Sequence, residues 1–82
     1  MPVDYLKIDG SFVKEIVHST ADYGLVKTIN EVGHFLGKKT VGEYVENEEI
    51  LKRLKEIGLD YAQGFGIAKP KPLNEILDTA QD

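Results

Sequence analysis

The sequence of 82 residues contains no cysteine, and it has no long apolar run and no excess of basic residues. The absence of cysteine excludes disulfides and thiolate metal sites, and it is compatible with the reducing cytoplasm in which we expect the protein. No stretch approaches the roughly 20 apolar residues that span a bilayer, and the first residues lack the apolar core of a signal peptide. We therefore expect no membrane contact from this segment, although upstream segments of a longer protein could anchor it.

Acidic residues outnumber basic ones, 14 against 10, and the formal net charge is −4. Proteins that bind duplex nucleic acid usually carry a basic patch, so this composition argues against such a partner. The chain also lacks low-complexity segments and linkers rich in glycine and serine. Its length and even composition predict one domain at most, over residues 1–82.

The most informative segment is Thr-Val-Gly-Glu-Tyr-Val-Glu at residues 40–46. It predicts a strand from about Lys39 to Val45, with Glu43 at the point where the strand emerges, followed by a helix that Asn47 caps. Ligands of α/β proteins bind beyond the carboxyl ends of the strands, so Glu43 is a candidate site residue. The alternative is an ion pair between Glu43 and a lysine at the end of a neighbouring strand.

Two other segments repeat this arrangement, residues 4–10 with Lys7 and residues 58–64 with Gln63. Lys7 and Glu43 are 36 positions apart and Glu43 and Gln63 are 20 apart, which leaves room for one crossover helix in each interval. Period-two alternation turns all three polar side chains to one face of a parallel sheet. Two residues before each of them, the same face carries an apolar layer of Tyr5, Val41 and Tyr61.

The intervening segments predict two helices. Ser19 or Thr20 caps the first, whose apolar stripe is Leu25, Ile29, Val32 and Leu36. Asn47 caps the second, whose buried stripe is Ile50, Leu51, Leu54 and Ile57. His18 and His34 lack a carboxylate or a second histidine at ligand spacing, so both are predicted to lie at solvated helix ends. Pro70 and Pro72 are predicted to lie outside any strand.

The segments DYLKID, TVGEYVE and GLDYAQGFGIAKPKPL resemble the closing portion of the EAL domain, the bacterial phosphodiesterase that linearises cyclic di-GMP. The resemblance runs from Pro2 to about Leu77. It implies an α/β fold with parallel strands, a partial TIM-type (β/α) barrel made of about the last three of eight β/α units, because a complete barrel needs about 250 residues. The family's Glu-Ala-Leu motif, its next two metal ligands and its paired aspartates all lie upstream of this portion.

The resemblance also implies roles for individual residues. Glu43 would be a ligand of a divalent metal or a base acting on water, and Lys7 would be the cation beside the attacking water. Gln63 would hold that catalytic site by hydrogen bonds, and Glu46 would anchor a neighbouring loop. Tyr44 stands where the family most often has glycine, and its ring is expected to face the helix layer. The complete parent domain would use Mg²⁺ or Mn²⁺, and this fragment is expected to bind neither stably.

Two functional hypotheses follow from the resemblance. In the first, the chain is part of a cyclic di-GMP phosphodiesterase and is inactive in isolation, since one glutamate cannot hold two metal ions. In the second, it is a non-catalytic EAL remnant that binds a nucleotide or a protein partner, or that merely self-associates. Both predict a homo-oligomer of the isolated chain, because three strands would leave two unpaired edges and an open interior face.

Overall fold

A computed structural model describes residues 3–64 and 67–75 of the chain. Its elements in chain order are β1 (Tyr5–Ile8), α1 (Gly10–Val13), α2 (Thr20–Phe35), β2 (Lys39–Gly42), α3 (Glu48–Ile57), β3 (Tyr61–Gly64) and β4 (Ile67–Pro72). The strands form one sheet in the order β1-β2-β3-β4, and the first three run parallel. The two crossovers that join them are α2 and α3, as the spacing of the polar residues predicts.

The observed sheet is mixed, whereas the predicted sheet is wholly parallel; the difference is the fourth strand. β4 pairs antiparallel with β3, with Tyr61 opposite Pro72 and Ala62 opposite Lys71. Both Pro70 and Pro72 lie within β4, so the prediction that they lie outside strands is wrong. An edge strand accepts proline because the missing N–H need not join the ladder. β4 therefore covers the edge of β3 that was expected to be open. Of the two parallel edge strands expected, β1 alone remains at an edge of the described sheet.

Local signals place the helix boundaries correctly. Ser19 Oγ accepts a hydrogen bond from the Asp22 backbone N–H at 3.1 Å, and Asn47 Oδ1 accepts one from Ile50 N–H at 2.9 Å. These are the N-caps of α2 and α3. On α3 the predicted face is also confirmed, since Ile50, Leu51 and Leu54 are buried.

The predicted apolar face of α2 is wrong at three of its four residues, because only Ile29 packs against the core. The residues of α2 that are buried are Val26, Asn30 and Gly33, whereas Val32 is 51% exposed. Gly33 explains the rotation, because a Cβ there would lie 2.9 Å from a methyl group of Leu6. The helix thus turns Gly33 toward the sheet, and most of the predicted stripe is exposed to solvent. The other stripe residues that are exposed are Leu25 and Leu36.

The face of the sheet opposite α2 and α3 carries the predicted aromatic layer. The rings of Tyr5 and Tyr61 meet edge to face across β2, with centroids 5.6 Å apart. Val41, on the strand between them, is only 1% exposed. The chain therefore covers part of the face that was expected to be open. None of the helices within the described ranges combines the length and the apolar character needed to cross a membrane.

Candidate functional site

A cavity of about 370 Å³ opens where the three parallel strands end. Of the predicted catalytic residues, Glu43 and Gln63 line it and Lys7 does not. The complete lining within the described ranges is Asp9, Gly10, Glu43, Tyr44, Gln63 and Gly64. The structure thus brings together two side chains that are 20 positions apart in the sequence.

Backbone hydrogen bonds hold the Glu43 segment at this position. The Glu43 N–H donates to the Ile8 carbonyl at 3.2 Å, and the Val45 N–H donates to the Gln63 carbonyl at 2.9 Å. The segment after β2 is therefore attached to β1 on one side and to β3 on the other. Gly64 allows this close approach, since it has φ +117° and a Cβ there would lie 2.6 Å from the Val45 nitrogen.

Lys7 lies one layer below Glu43 because of the strand register. It pairs with Val41, and Ile8 pairs with Gly42. The prediction placed Lys7 level with Glu43 by matching the ends of the two sequence motifs, but neighbouring strands of barrel-like sheets are staggered. The Lys7 side chain is exposed to solvent. Its catalytic role stays a prediction.

Glu46 lies outside this cavity and lines a second one, of about 240 Å³. The other side of that cavity belongs to the connection between α1 and α2, where Lys14 and His18 lie. Glu46 is exposed, and within the described ranges it makes no hydrogen bond to this connection. Its predicted role as a loop anchor stays a prediction.

The two carboxyl groups of the cavity differ in their hydrogen bonding. Asp9 caps α1, and its Oδ1 accepts the Ser11 backbone N–H at 2.8 Å. This hydrogen bond lowers the pKa of Asp9. Glu43 is half-buried and makes neither a side-chain hydrogen bond nor an ion pair with any described residue. Its carboxyl group is therefore an oxygen donor that is available to a ligand.

Tyr44 lines the cavity as well as contacting the start of α1, so its ring does not face only the helix layer, as was expected. Its backbone has φ +57°, in the left-handed region that favours glycine, and its side chain is 69% exposed. The inner part of the side chain covers Gly10, where any Cβ would collide with it. The sequence signal was the bulky residue directly after Glu43, but its direction depends on φ, which the sequence does not show.

His34 lies exposed in the last turn of α2, as predicted, but it also has a carboxylate partner that the sequence analysis did not predict. Its Nε2 lies 2.7 Å from Asp60 Oδ2, and the same oxygen accepts the Thr40 backbone N–H at 2.9 Å. Burial alone would raise the pKa of Asp60, but the hydrogen bonds from Thr40 and His34 outweigh it and hold the pKa below its usual value. These residues lie at the amino ends of β2 and β3, away from the cavity.

Parallel strands joined by helices, with a polar cavity beyond their carboxyl ends, are the arrangement in which many α/β proteins bind their ligands. Comparison with protein families matches residues 1–70 to the EAL domain. The chain belongs to this family. Residues 65 and 66, in the loop after β3, lie outside the described residues. The sequence also predicts a final helix from about Leu73 to Thr79, of which residues 73–75 are helical and the rest lies outside the described residues.

Curated relatives and solved structures agree with this assignment. The cyclic di-GMP phosphodiesterase PdeB of Shewanella oneidensis is 52% identical over 73 residues, which are 89% of this chain and 8% of the relative. The PaMucR phosphodiesterase in complex with cyclic di-GMP aligns with a TM-score of 0.74 and 34% identity, over 93% of this chain and 31% of that one. Klebsiella pneumoniae BlrP1 with FMN and cyclic di-GMP, without metal ions, aligns with a TM-score of 0.74 and 28% identity, over 85% of this chain and 19% of that one. The chain spans about a tenth of the length of the curated relatives it matches.

Proposed function

We propose that the chain is the carboxyl-terminal part of a domain that hydrolyses cyclic di-GMP, and that it corresponds to about the last three β/α units of an eight-unit barrel. The observation that carries the proposal is the position of Glu43. In a chain of the EAL family, its carboxylate lines the cavity beyond the strand ends and has no partner among the described residues. Cyclic di-GMP is the substrate proposed because a relative is named a cyclic di-GMP phosphodiesterase and an aligned phosphodiesterase structure is a complex with cyclic di-GMP.

Hydrolysis of a phosphodiester requires an oriented water and positive charge near the developing negative charge. We assign Glu43 to a metal ligand or to the base that acts on the water, and Gln63 to orienting the site by hydrogen bonds. Lys7 would contribute its cation from the layer below, and Glu46 would hold the adjacent loop. Mg²⁺ or Mn²⁺, when bound in the complete domain, would supply the Lewis acid, with Glu43 as one of its oxygen ligands.

We propose further that the 82-residue chain alone does not turn over cyclic di-GMP. Mg²⁺ prefers octahedral coordination by oxygen, so each ion needs several donors. Within residues 3–64 and 67–75, no three histidine, cysteine, aspartate or glutamate side chains are grouped closely enough to hold a metal ion. The remaining ligands would therefore come from the rest of the domain.

The test is to incubate the purified chain, and separately the complete domain, with cyclic di-GMP and Mg²⁺ or Mn²⁺, and to measure the linear dinucleotide. We expect product only from the complete domain. Turnover by the isolated chain that disappears in Glu43→Gln would contradict its proposed inactivity. If the complete domain binds cyclic di-GMP without cleaving it, the assignment as a phosphodiesterase is wrong and the non-catalytic module is favoured.

We also propose that the isolated chain forms a homo-oligomer through its β1 edge. Val3 and Tyr5 on or beside this edge are about half exposed, and β1 pairs only with β2 in the described sheet. An unpaired strand with exposed apolar side chains is an association site. Light scattering with circular dichroism over a dilution series tests this, and a folded monomer at low micromolar concentration would contradict it.

A further inference from the structure

Tyr44 is the residue of the cavity with the most unusual backbone. Its φ of +57° makes it the one non-glycine residue with positive φ in the described ranges. Such conformations are uncommon for bulky residues, and where they occur they concentrate at functional sites. The strain therefore calls for a role for this side chain.

Core packing does not account for the position of the ring. The side chain is 69% exposed, although it belongs to a large and partly apolar residue. Its inner part is fixed against Gly10, and this is possible because Gly10 has no Cβ to displace it. One side of Tyr44 is thus held by the start of α1, while the rest of its surface faces solvent at the cavity that Glu43 lines.

We propose that Tyr44 is a substrate-binding residue whose ring stacks on a guanine base of cyclic di-GMP, an inference that rests on the function proposed above. The Cα atoms of consecutive residues are about 3.8 Å apart, so a base that stacks on Tyr44 would lie beside a phosphodiester at Glu43. Purines have flat π faces, and stacking of bases on aromatic side chains is a general source of affinity for nucleotides. The held ring also loses little conformational freedom on binding.

The test measures cyclic di-GMP affinity of the complete domain by calorimetry with EDTA present, which prevents turnover. The variants are Tyr44→Phe, Tyr44→Leu and Tyr44→Gly. We expect Tyr44→Phe to bind within about twofold of the parent, because the ring is kept. Tyr44→Leu and Tyr44→Gly should bind about tenfold more weakly or worse, the size of one lost stack.

Two further measurements separate stacking from a structural role. Glycine suits the left-handed backbone, so Tyr44→Gly should keep the melting temperature of the parent while it loses affinity. With Mg²⁺ restored, the same variants should raise KM and leave kcat nearly unchanged. Binding of guanosine monophosphate should weaken by a similar factor, whereas binding of inorganic phosphate should not change.

Three results would overturn the inference: unchanged affinity in Tyr44→Leu and Tyr44→Gly, an equal loss in Tyr44→Phe, or a fall in kcat at constant KM. The last would indicate that Tyr44 positions Glu43 and does not bind the base. If the parent domain does not bind cyclic di-GMP, the proposed function fails separately. Titration with guanosine monophosphate then decides, since stacking requires the same order of variants and any other order contradicts it.

Discussion

The two ends of the same parallel strands use polar residues in opposite ways. At the amino ends, a network joins α2 to β2 and β3, and its polar atoms find their partners within the chain. Thr40 Oγ donates to Asn30 Oδ1 at 2.5 Å, Asn30 Nδ2 donates to the Ile57 carbonyl at 3.3 Å, and Asp60 takes hydrogen bonds from Thr40 and His34. No buried side-chain nitrogen or oxygen in the described ranges lacks a partner.

At the carboxyl ends, polar groups surround a cavity instead. The Glu43 carboxylate has no partner among the described residues, and Tyr44 next to it has a backbone conformation that costs free energy. The difference shows that polar residues at the amino ends connect the elements, while at the carboxyl ends the Glu43 side chain has no partner among the described residues. Substitutions at the two ends should therefore separate stability from activity.

The largest expected effect is that of Glu43→Gln in the complete domain. We expect kcat for cyclic di-GMP hydrolysis to fall about a hundredfold or more, the size typical of a lost catalytic base, with little change in melting temperature. Glu31→Gln, at an exposed position of α2, is the matched control and should change neither. Equal losses of activity and melting temperature in Glu43→Gln would instead support the strand-end ion pair.

At the other end, Thr40→Val should show the reverse pattern. Valine keeps the shape of threonine, but it removes the hydroxyl that bonds to the buried Asn30 and to the partly buried Asp60. This loss should lower the free energy of unfolding by about 2 kcal/mol. Activity per folded molecule should not change. Urea denaturation at one fixed protein concentration measures the loss. The control is Thr28→Val, because the exposed Thr28 bonds only to Gly24 of its own helix, and it should stay within about 0.5 kcal/mol.

Acid should weaken the amino-end network through Asp60. Its pKa in the folded chain lies below the ordinary value of 3.8, so its stabilising contribution is fully present above pH 3.8 and is lost as the pH falls toward the folded-state value. Denaturation of the parent and of Asp60→Asn over a pH series checks this. The difference in unfolding free energy should be constant at neutral pH and shrink below about pH 4. A difference that persists undiminished at pH 2.5 would contradict the assignment.

Local signals in the sequence were sufficient for some features of the fold. The caps Ser19 and Asn47 depend on hydrogen bonds within three residues, so the sequence predicts them directly. Glu43 and Gln63 were placed correctly at one rim because both lie at the carboxyl ends of strands in a predicted parallel sheet. Those predictions needed only the direction of the strands and the two-residue alternation of their side chains, which tertiary structure does not alter.

Features that depend on distant partners could not be predicted in this way. His34 meets Asp60, which is 26 positions further along the chain, and helical spacing gives no sign of that pairing. The layer of Lys7 depends on strand register, which three polar residues at motif ends do not determine. Pro70 lies in a strand because β4 happens to be an edge, a property of the whole sheet.

The smallest expected effect comes from the exposed stripe of α2. Val26→Ala should lower the unfolding free energy of the isolated chain by about 2 kcal/mol, because it removes two buried methyl groups and leaves a cavity. Val32→Ala removes the same atoms from a side chain that is half exposed, so it should cost about 0.5 kcal/mol or less. The pair keeps helix and chemistry constant and varies only burial. If Val32→Ala cost as much as Val26→Ala, the sequence-predicted face would be the buried one and the rotation set by Gly33 would be wrong.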